Sequence, residues 1–566
     1  MNTSRVQSRC MDCGHTFEFH PLTNRCPKCG SEWLQAEYDY DMARAMWVRH
    51  LADRPFNLWR YHELLPVQHA PPSIDLGVGG TPLLASVHLT QMLKLPHLYI
   101  KDERQSPTSS FKDRQAAVTI AALQEGGLTE MVVASTGNVA IAYAAYAARA
   151  GIKLWAFLPS LVPQEKMREV AIYGAQVVKV TASYDEAKRL AAEFARQRGF
   201  YIDRGARSIP TVESMKTLAF EISEQLARQH PDARYGSLPW RAPDWYLQAV
   251  SGGLGPIGVA KGFRELYQMG FIDRMPKLGI VQVEGCSPMV QAWQQGKAQA
   301  DPIPRPRTHV TTLATGDPGR TYTLLYEYVR EHGGAFVAVS DEEAFRAMHT
   351  LAKMEGLSME PAAAVAFAGL IQMVREGVIQ PHETVMVNCT GHTMPIESHV
   401  LGERWARHVG VDREPSALQE TAPLTVPQEG LLAALTTMAT ERYPRILIVD
   451  DHEPARILLR RILQSLGDYT ILEAEDGYQA LELARQASPD LIILDLMMPD
   501  LDGFSVLDSL KSHSETASIP VIVVTAKSLS AEEQQRLGRM ARVMHKGEFL
   551  NDEFFAEIRG LLEQAR

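Results

Sequence analysis

Between Pro55 and Trp405, short apolar segments such as Leu98–Ile100, Met131–Ala134, Leu154–Leu158 and Val177–Val180 alternate with longer helical stretches. That alternation is the pattern of a doubly wound parallel sheet, because parallel strands need a crossover that a helix supplies. Two such α/β layers fit in this length. A polar, proline-bearing stretch from Val411 to Gln428 then reads as an exposed linker. After it, Arg445–Val449 begins a fresh strand and a further α/β domain of about 120 residues, within the usual domain range. A chain of 566 residues exceeds what one hydrophobic core serves, so several domains are expected. Their boundaries fall at 1–35, 36–405, 406–443 (linker) and 444–566.

The composition, 45% hydrophobic and 22% charged, is that of a globular protein. Formal net charge is −10, from 57 basic and 67 acidic side chains, and no basic block is long enough to follow a phosphate backbone. Nucleic acid is therefore not an expected partner. Met1–Arg5 leads into cysteines rather than an apolar signal region, and the most apolar stretch, Met131 to Ala150, carries several polar residues and an arginine. A soluble cytoplasmic protein without a membrane partner is expected. Four of the six cysteines form Cys10-x2-Cys13 and Cys26-x2-Cys29, twelve residues apart, with Gly14 and Gly30 trailing each pair. This spacing looks like a zinc ribbon, whose four thiolates close a tetrahedral shell and make Zn²⁺ structural.

Four further motifs sit at strand ends. Lys112 stands in Ser106-Pro107-Thr108-Ser109-Ser110-Phe111-Lys112-Asp113-Arg114. Ser135-Thr136-Gly137-Asn138 follows a strand and opens an alanine-rich helix, Val139 to Arg149, whose first amides would face an anion. Ser251-Gly252-Gly253-Leu254-Gly255 follows the strand Trp245–Val250 and precedes a helix from about Val259; its glycines let amides close on a phosphate. Val385–Asn388 leads into Cys389-Thr390-Gly391-His392. Singly, a surface lysine, an N-cap and a plain turn explain these segments; together and in this order they do not.

The four motifs resemble those of threonine synthase and its fold-type II relatives among pyridoxal phosphate (PLP) enzymes, and the resemblance spans residues 55–405. It implies a two-layered, tryptophan synthase β-like fold with PLP bonded to Lys112, which afterwards moves protons. It also implies that Asn138 meets the ring hydroxyl oxygen, Ser251, Gly252, Gly253, Leu254 and Gly255 cup the phosphate, and Thr390 faces the pyridine nitrogen. A hydroxyl there makes the ring a weaker electron sink than a carboxylate does, which favours elimination and replacement over transamination. For the substrate, Ser135, Thr136 and Gly137 would hold the α-carboxylate. Lys216, in Glu213-Ser214-Met215-Lys216-Thr217, and Arg204 would hold the phosphate of an amino-acid phosphate ester, O-phosphohomoserine in threonine synthase. The chain departs from the family pattern at Ser109 (glycine in the family), at Gln115, and at Asp203 in a stretch where the family has asparagine. A cysteate synthase, an ammonia-lyase, or a signalling scaffold that binds without turnover stay open. A homodimer is expected.

In the last quarter, Asp450-Asp451, Asp495 and Thr525 each end an apolar strand and Lys546 follows another, which places them at one carboxyl edge of a parallel sheet. Three carboxylates there make an oxygen cage for Mg²⁺. Residues 445–563 resemble the receiver domain of response regulators, a (βα)5 flavodoxin-like fold. The resemblance implies Asp495 as phosphoacceptor, Mg²⁺ on Asp450, Asp451, Asp495 and the Met497 backbone, Thr525 and Lys546 beside the phosphoryl group, and a histidine kinase or phosphotransfer protein as partner. Gly547 and Val543 stand where the family has proline and a switch aromatic.

Overall fold

The computed structural model describes residues 6–20, 23–68, 74–135, 137–159, 162–180, 184–229, 239–392, 409–410, 429–430, 444–466, 469–525, 529–538, 540–545, 557–558 and 560–562. The chain divides into two compact units, Met1–Ile396 and Glu397–Arg566. The proposed linker stretch Val411–Gln428 lies outside the described residues.

Two sheets carry the first unit. The larger runs in the order Gly334–Val339, Lys277–Val283, Trp245–Ala249, Val385–Cys389, Leu98–Asp102, Leu83–Ala85, parallel except for the last strand. Its central strands Trp245–Ala249 and Val385–Cys389 are buried throughout, as a sheet covered by helices on both faces requires. The smaller sheet, Gln176–Val180, Lys153–Pro159, Glu130–Ala134 and Tyr201–Ile202, is wholly parallel. The expected strands are all present, within a residue or two of their bounds.

One helix boundary differs from expectation. The helix predicted from about Val259 begins at Leu254, because Gly258 and Gly262 are helical contact points rather than loop residues. A Cβ at Gly258 would lie 2.4 Å from Met215 Cβ, and one at Gly262 would lie 2.5 Å from Lys216 O. Spaced four apart, the two glycines let this helix close on its neighbour.

The cysteine region forms a three-stranded antiparallel sheet, Thr16–Glu18, Val6–Cys10 and Leu34–Tyr38. Gly14 (φ 70°) and Gly30 (φ 76°) turn the chain behind each cysteine pair, their amides donating to Cys10 O (3.0 Å) and Cys26 O (2.9 Å). Glycine takes this left-handed conformation without a Cβ penalty.

The second unit is a five-stranded parallel sheet in the order Thr470–Ala474, Arg445–Val449, Leu491–Leu494, Val521–Thr525, Arg542–His545, with the switch point beside the first strand. Among the described residues, no helix is long and apolar enough to cross a membrane.

Candidate active site

Lys112 opens the helix Lys112–Glu125 and lines a cavity of about 120 Å³. Burial pulls its amine pKa down to about 8, against the opposing pull of the Asp203 and Glu360 carboxylates. A useful fraction of the amine is then neutral near pH 7, as a group that attacks a carbonyl must be. The loop before it is tied to the segment that carries Thr390: Phe111 N donates to Thr390 O at 2.9 Å, and His392 N donates to Ser109 O at 2.8 Å. Asp113 holds the same loop by accepting from Thr108 N (2.8 Å) and Thr108 Oγ1 (2.7 Å). Ser109 takes φ 59°, which accounts for the glycine found there in the family.

Asn138, Thr390 and the run Ser251–Gly255 line the same cavity. The strand Trp245–Ala249 ends just before the turn and the helix Leu254–Gln268 starts within it, so first-turn amides that have no intrahelical acceptor face the cavity. At Gly253 (φ 84°) a Cβ would lie 2.9 Å from Thr321 Cγ2, and at Gly255 it would lie 2.3 Å from Gln248 Nε2. Only glycine lets the turn pass there. A poised amine, an amide cup and a buried hydroxyl are the donor set for an aldehyde, a phosphate and a pyridine nitrogen, and so the residues fit PLP.

Glu360 was not anticipated. It is the N-cap residue of the helix Pro361–Arg375 and lines the cavity, where both its carboxylate oxygens accept from Asn138 Nδ2, at 2.9 and 3.0 Å. Lys166 Nζ donates to Asn138 Oδ1 at 3.3 Å and lies 3.8 Å from Glu360 Oε2. The only sequence signal was a Glu-Pro helix start. Ser135 is turned inward, its Oγ accepting from Gly137 N (3.0 Å) and Ala140 N (3.1 Å), so its hydroxyl shapes the turn. Neither Ser135 nor Gly137 is among the residues that line the two cavities around Lys112. Thr136 lies outside the described residues.

A second cavity, about 570 Å³, shares Lys112, Ser251, Gly252 and Thr312 with the first. Arg204 lines it as expected, together with Arg207, Lys188 and Arg320. Lys216 does not reach it. It is 0% exposed, with Nζ 2.6 Å from Glu213 Oε2 and 2.9 Å from Glu265 Oε2, under the ring of Tyr38 at 4.0 Å. Lys261 completes this cluster of two lysines and two glutamates, 3.0 Å from Glu213 and 2.5 Å from Glu265. Charges so buried persist only when paired, and Lys216 is committed to its partners. Its side chain is held by Glu265 of the helix Leu254–Gln268, and Lys216 is not among the residues lining either cavity.

Two departures from the family pattern touch each other on the cavity wall. Gln115 Nε2 donates to Asp203 Oδ2 at 3.1 Å, and Tyr143 OH donates to the same oxygen at 2.9 Å. Asp203 Oδ1 accepts from Gly205 N (2.9 Å) and Thr211 Oγ1 (3.0 Å).

The thiols of Cys10 and Cys29 stand 3.5 Å apart and those of Cys13 and Cys26 3.6 Å apart, with all four within 4.8 Å. Four thiolates on one zinc, each about 2.3 Å from it, would stand roughly 3.8 Å from one another, so the cluster fits Zn²⁺. Cys286 and Cys389 are buried in the core. In the second unit, ligand atoms of Asp450, Asp451 and Asp495 lie within 4.8 Å of one another. Asp495 Oδ1 accepts from Met497 N at 3.2 Å, Thr525 is buried at the end of its strand, and a Cβ at Gly503 would lie 2.3 Å from Asp495 O. Lys546 lies outside the described residues.

Residues 74–391 match the family described as pyridoxal-phosphate dependent enzyme, and residues 446–545 match the response regulator receiver domain. The threonine synthase of Methanocaldococcus jannaschii is 33% identical over 386 residues, 68% of this chain and 91% of that protein. That of Mycobacterium tuberculosis H37Rv is 30% identical over 333 residues, 59% of this chain and 86% of that one. Among solved structures, diaminopropionate ammonia lyase from Escherichia coli in complex with D-serine superposes with a TM-score of 0.48 at 18% identity, over 60% of this chain and 94% of that one. With the match covering more than half its length, the chain belongs to the pyridoxal-phosphate dependent enzymes, on the threonine synthase-like side of that family, and it carries a response regulator receiver domain in the same polypeptide.

Proposed function

We propose that the first unit converts O-phosphohomoserine and water to threonine and phosphate: the Cγ–O bond to phosphate breaks, a proton leaves Cβ and one is added at Cγ, and a hydroxyl from water arrives on Cβ. The observation that carries this reading is the pair of cavities meeting at Lys112, the larger with Arg204, Arg207, Lys188 and Arg320 on its wall. An amino acid whose α-carbon stands beside Lys112 would send a side-chain phosphate toward those cations. PLP, when bound, supplies the electron sink that makes the α-proton labile. The Lys112 amine takes and returns protons on the substrate, the amides at the start of the helix Asn138–Ala150 hold the α-carboxylate, and the Ser251–Gly255 turn holds the cofactor's phosphate. Incubating the purified full chain with O-phosphohomoserine should release threonine and inorganic phosphate in equal amounts.

Asp203 favours a second reading. A carboxylate on the cavity wall disfavours an anionic side chain close to Lys112 and favours an amino acid that is deaminated instead. Ammonia and a 2-oxo acid formed from a hydroxy or diamino acid, with no phosphate released from O-phosphohomoserine, would replace the first reading by this one.

In the second unit, the geometry supports phosphorylation of Asp495 with Mg²⁺ held by Asp450, Asp451, Asp495 and the Met497 backbone, from a histidine kinase or phosphotransfer protein. Thr525 and Lys546 would receive the phosphoryl oxygens. A small-molecule phosphodonor with Mg²⁺ should label wild type and leave Asp495→Asn unlabelled, since an amide is a poor nucleophile.

A further inference from the structure

The cysteine module does more than staple the N-terminus. Its residues Glu32 and Trp33 stand just after the second cysteine pair, beyond Gly30 and Ser31, and Trp33 lines the larger cavity with the arginines. Glu32 binds three guanidiniums at once: Arg207 Nη1 at 2.7 Å, Arg25 Nη2 at 3.0 Å and Arg204 Nη1 at 3.5 Å. Arg204 Nη2 also donates to Asn24 O at 3.2 Å, from the loop between the cysteine pairs. Arg320 pairs with Asp12, between Cys10 and Cys13, and its guanidinium lies 5.3 Å from the Trp33 ring centroid. Every arginine on this wall is therefore held by a residue that the cysteine cluster places.

An arginine has five N–H donors, and one carboxylate cannot use them all. Arg204 and Arg207 line the cavity while sharing the one Glu32 carboxylate, so each keeps N–H donors to spare for an anion, beside Asp185, Asp203 and Asp317 of the same lining. We propose that Glu32 and Trp33 are positioning residues for the substrate, fixing Arg204, Arg207 and Arg320 for the anionic end of the amino acid, so that the cysteine module supports one wall of the substrate site through Trp33 and these ion pairs. This rests on reading the larger cavity as the substrate's.

The alternative for Glu32 is competition, in which its carboxylate occupies the arginines and a substrate anion must displace it. The two roles have opposite signs. The holoenzyme, Glu32→Gln and Trp33→Ala are compared for inorganic phosphate affinity by calorimetry, for KM and kcat, and for the cofactor absorption band. Positioning weakens phosphate binding and raises KM roughly fivefold or more in both variants, the scale of a coupling between distinct sites. It leaves kcat and the absorption band near wild type. Removing the metal from the full chain with a chelator should weaken phosphate binding likewise. Unchanged or tighter phosphate binding in Glu32→Gln overturns the proposal, as does a fall in kcat and loss of the band at unchanged KM, which marks a merely structural role. A wild type that binds no phosphate defeats the reading of the cavity itself and takes this inference with it.

Discussion

The two ends of the Lys112 cavity are built in different ways. At the cofactor end each part is local: helix starts deliver Lys112, Asn138 and the Ser251–Gly255 cup, and a strand end delivers Thr390. At the mouth, Trp33, Arg204 and Arg320 arrive from segments far apart in the chain, and the contacts that orient them run through the cysteine module. Local construction leaves a readable motif, because the turn itself dictates the residue types. A wall assembled from distant segments leaves only scattered arginines, which look like solvated surface charges. On the function proposed above, the cofactor end would fix the chemistry and the arginine-lined wall would select what undergoes it.

The largest effect that tests this division is Lys112→Ala. Borohydride should trap cofactor on the wild-type chain and trap none on the variant, with turnover abolished, because no other amine replaces it. A trapped adduct at undiminished yield would move the centre of the cofactor end elsewhere.

Next in size, Lys216→Met should lower stability by about 3–5 kcal/mol, since it leaves Glu213 and Glu265 with one buried cation in place of two. Denaturant unfolding reads this, while KM measured where the variant is folded should stay at the wild-type value. A raised KM in a stable variant would return Lys216 to the substrate site.

A smaller, graded effect concerns pH. Only the neutral amine attacks an aldehyde, and Lys112 is protonated below about pH 8. The rate at which apoprotein recovers its absorption band on adding PLP should therefore rise with pH and level off above about 8, falling roughly tenfold per unit below it. A midpoint near 10 would mean that the amine is not desolvated.

The smallest expected change is Ser109→Gly. Left-handed backbone costs a residue with a Cβ on the order of 1–2 kcal/mol, and glycine's greater freedom in the unfolded chain offsets part of that gain. The net should be a stabilisation of less than about 1 kcal/mol, seen as a slightly higher Tm with activity unchanged. Destabilisation would show that the Ser109 hydroxyl has a role of its own.

The same contrast explains what the sequence disclosed. The parallel strands of both units were legible in the alternation of apolar and helical stretches, though their spatial order was not, and the receiver carboxylates were legible because each ends a strand at the same sheet edge. Lys216 was expected at the substrate because its neighbours in sequence resemble a ligand motif, while the fold commits its amine to Glu213 and Glu265. Glu360 escaped notice because a glutamate before proline is an ordinary helix start, and only the fold brings it to Asn138. The late end assigned to the glycine loop had a similar cause, since glycines that serve close helix contact are indistinguishable, one sequence at a time, from glycines that serve a turn.

The backbone bonds between Ser109–Phe111 and Thr390–His392 carry a mechanical consequence. Lys112 and Thr390, which in the proposed reading would hold the cofactor between them, belong to segments laced together at 2.8 and 2.9 Å. The seat is thus a fixed-gauge fitting: its span is set by peptide geometry and cannot stretch when neighbouring helices shift. A signal arriving from elsewhere in the molecule would find little to move there, whereas the arginines of the larger cavity are held through side chains rather than by a backbone lattice.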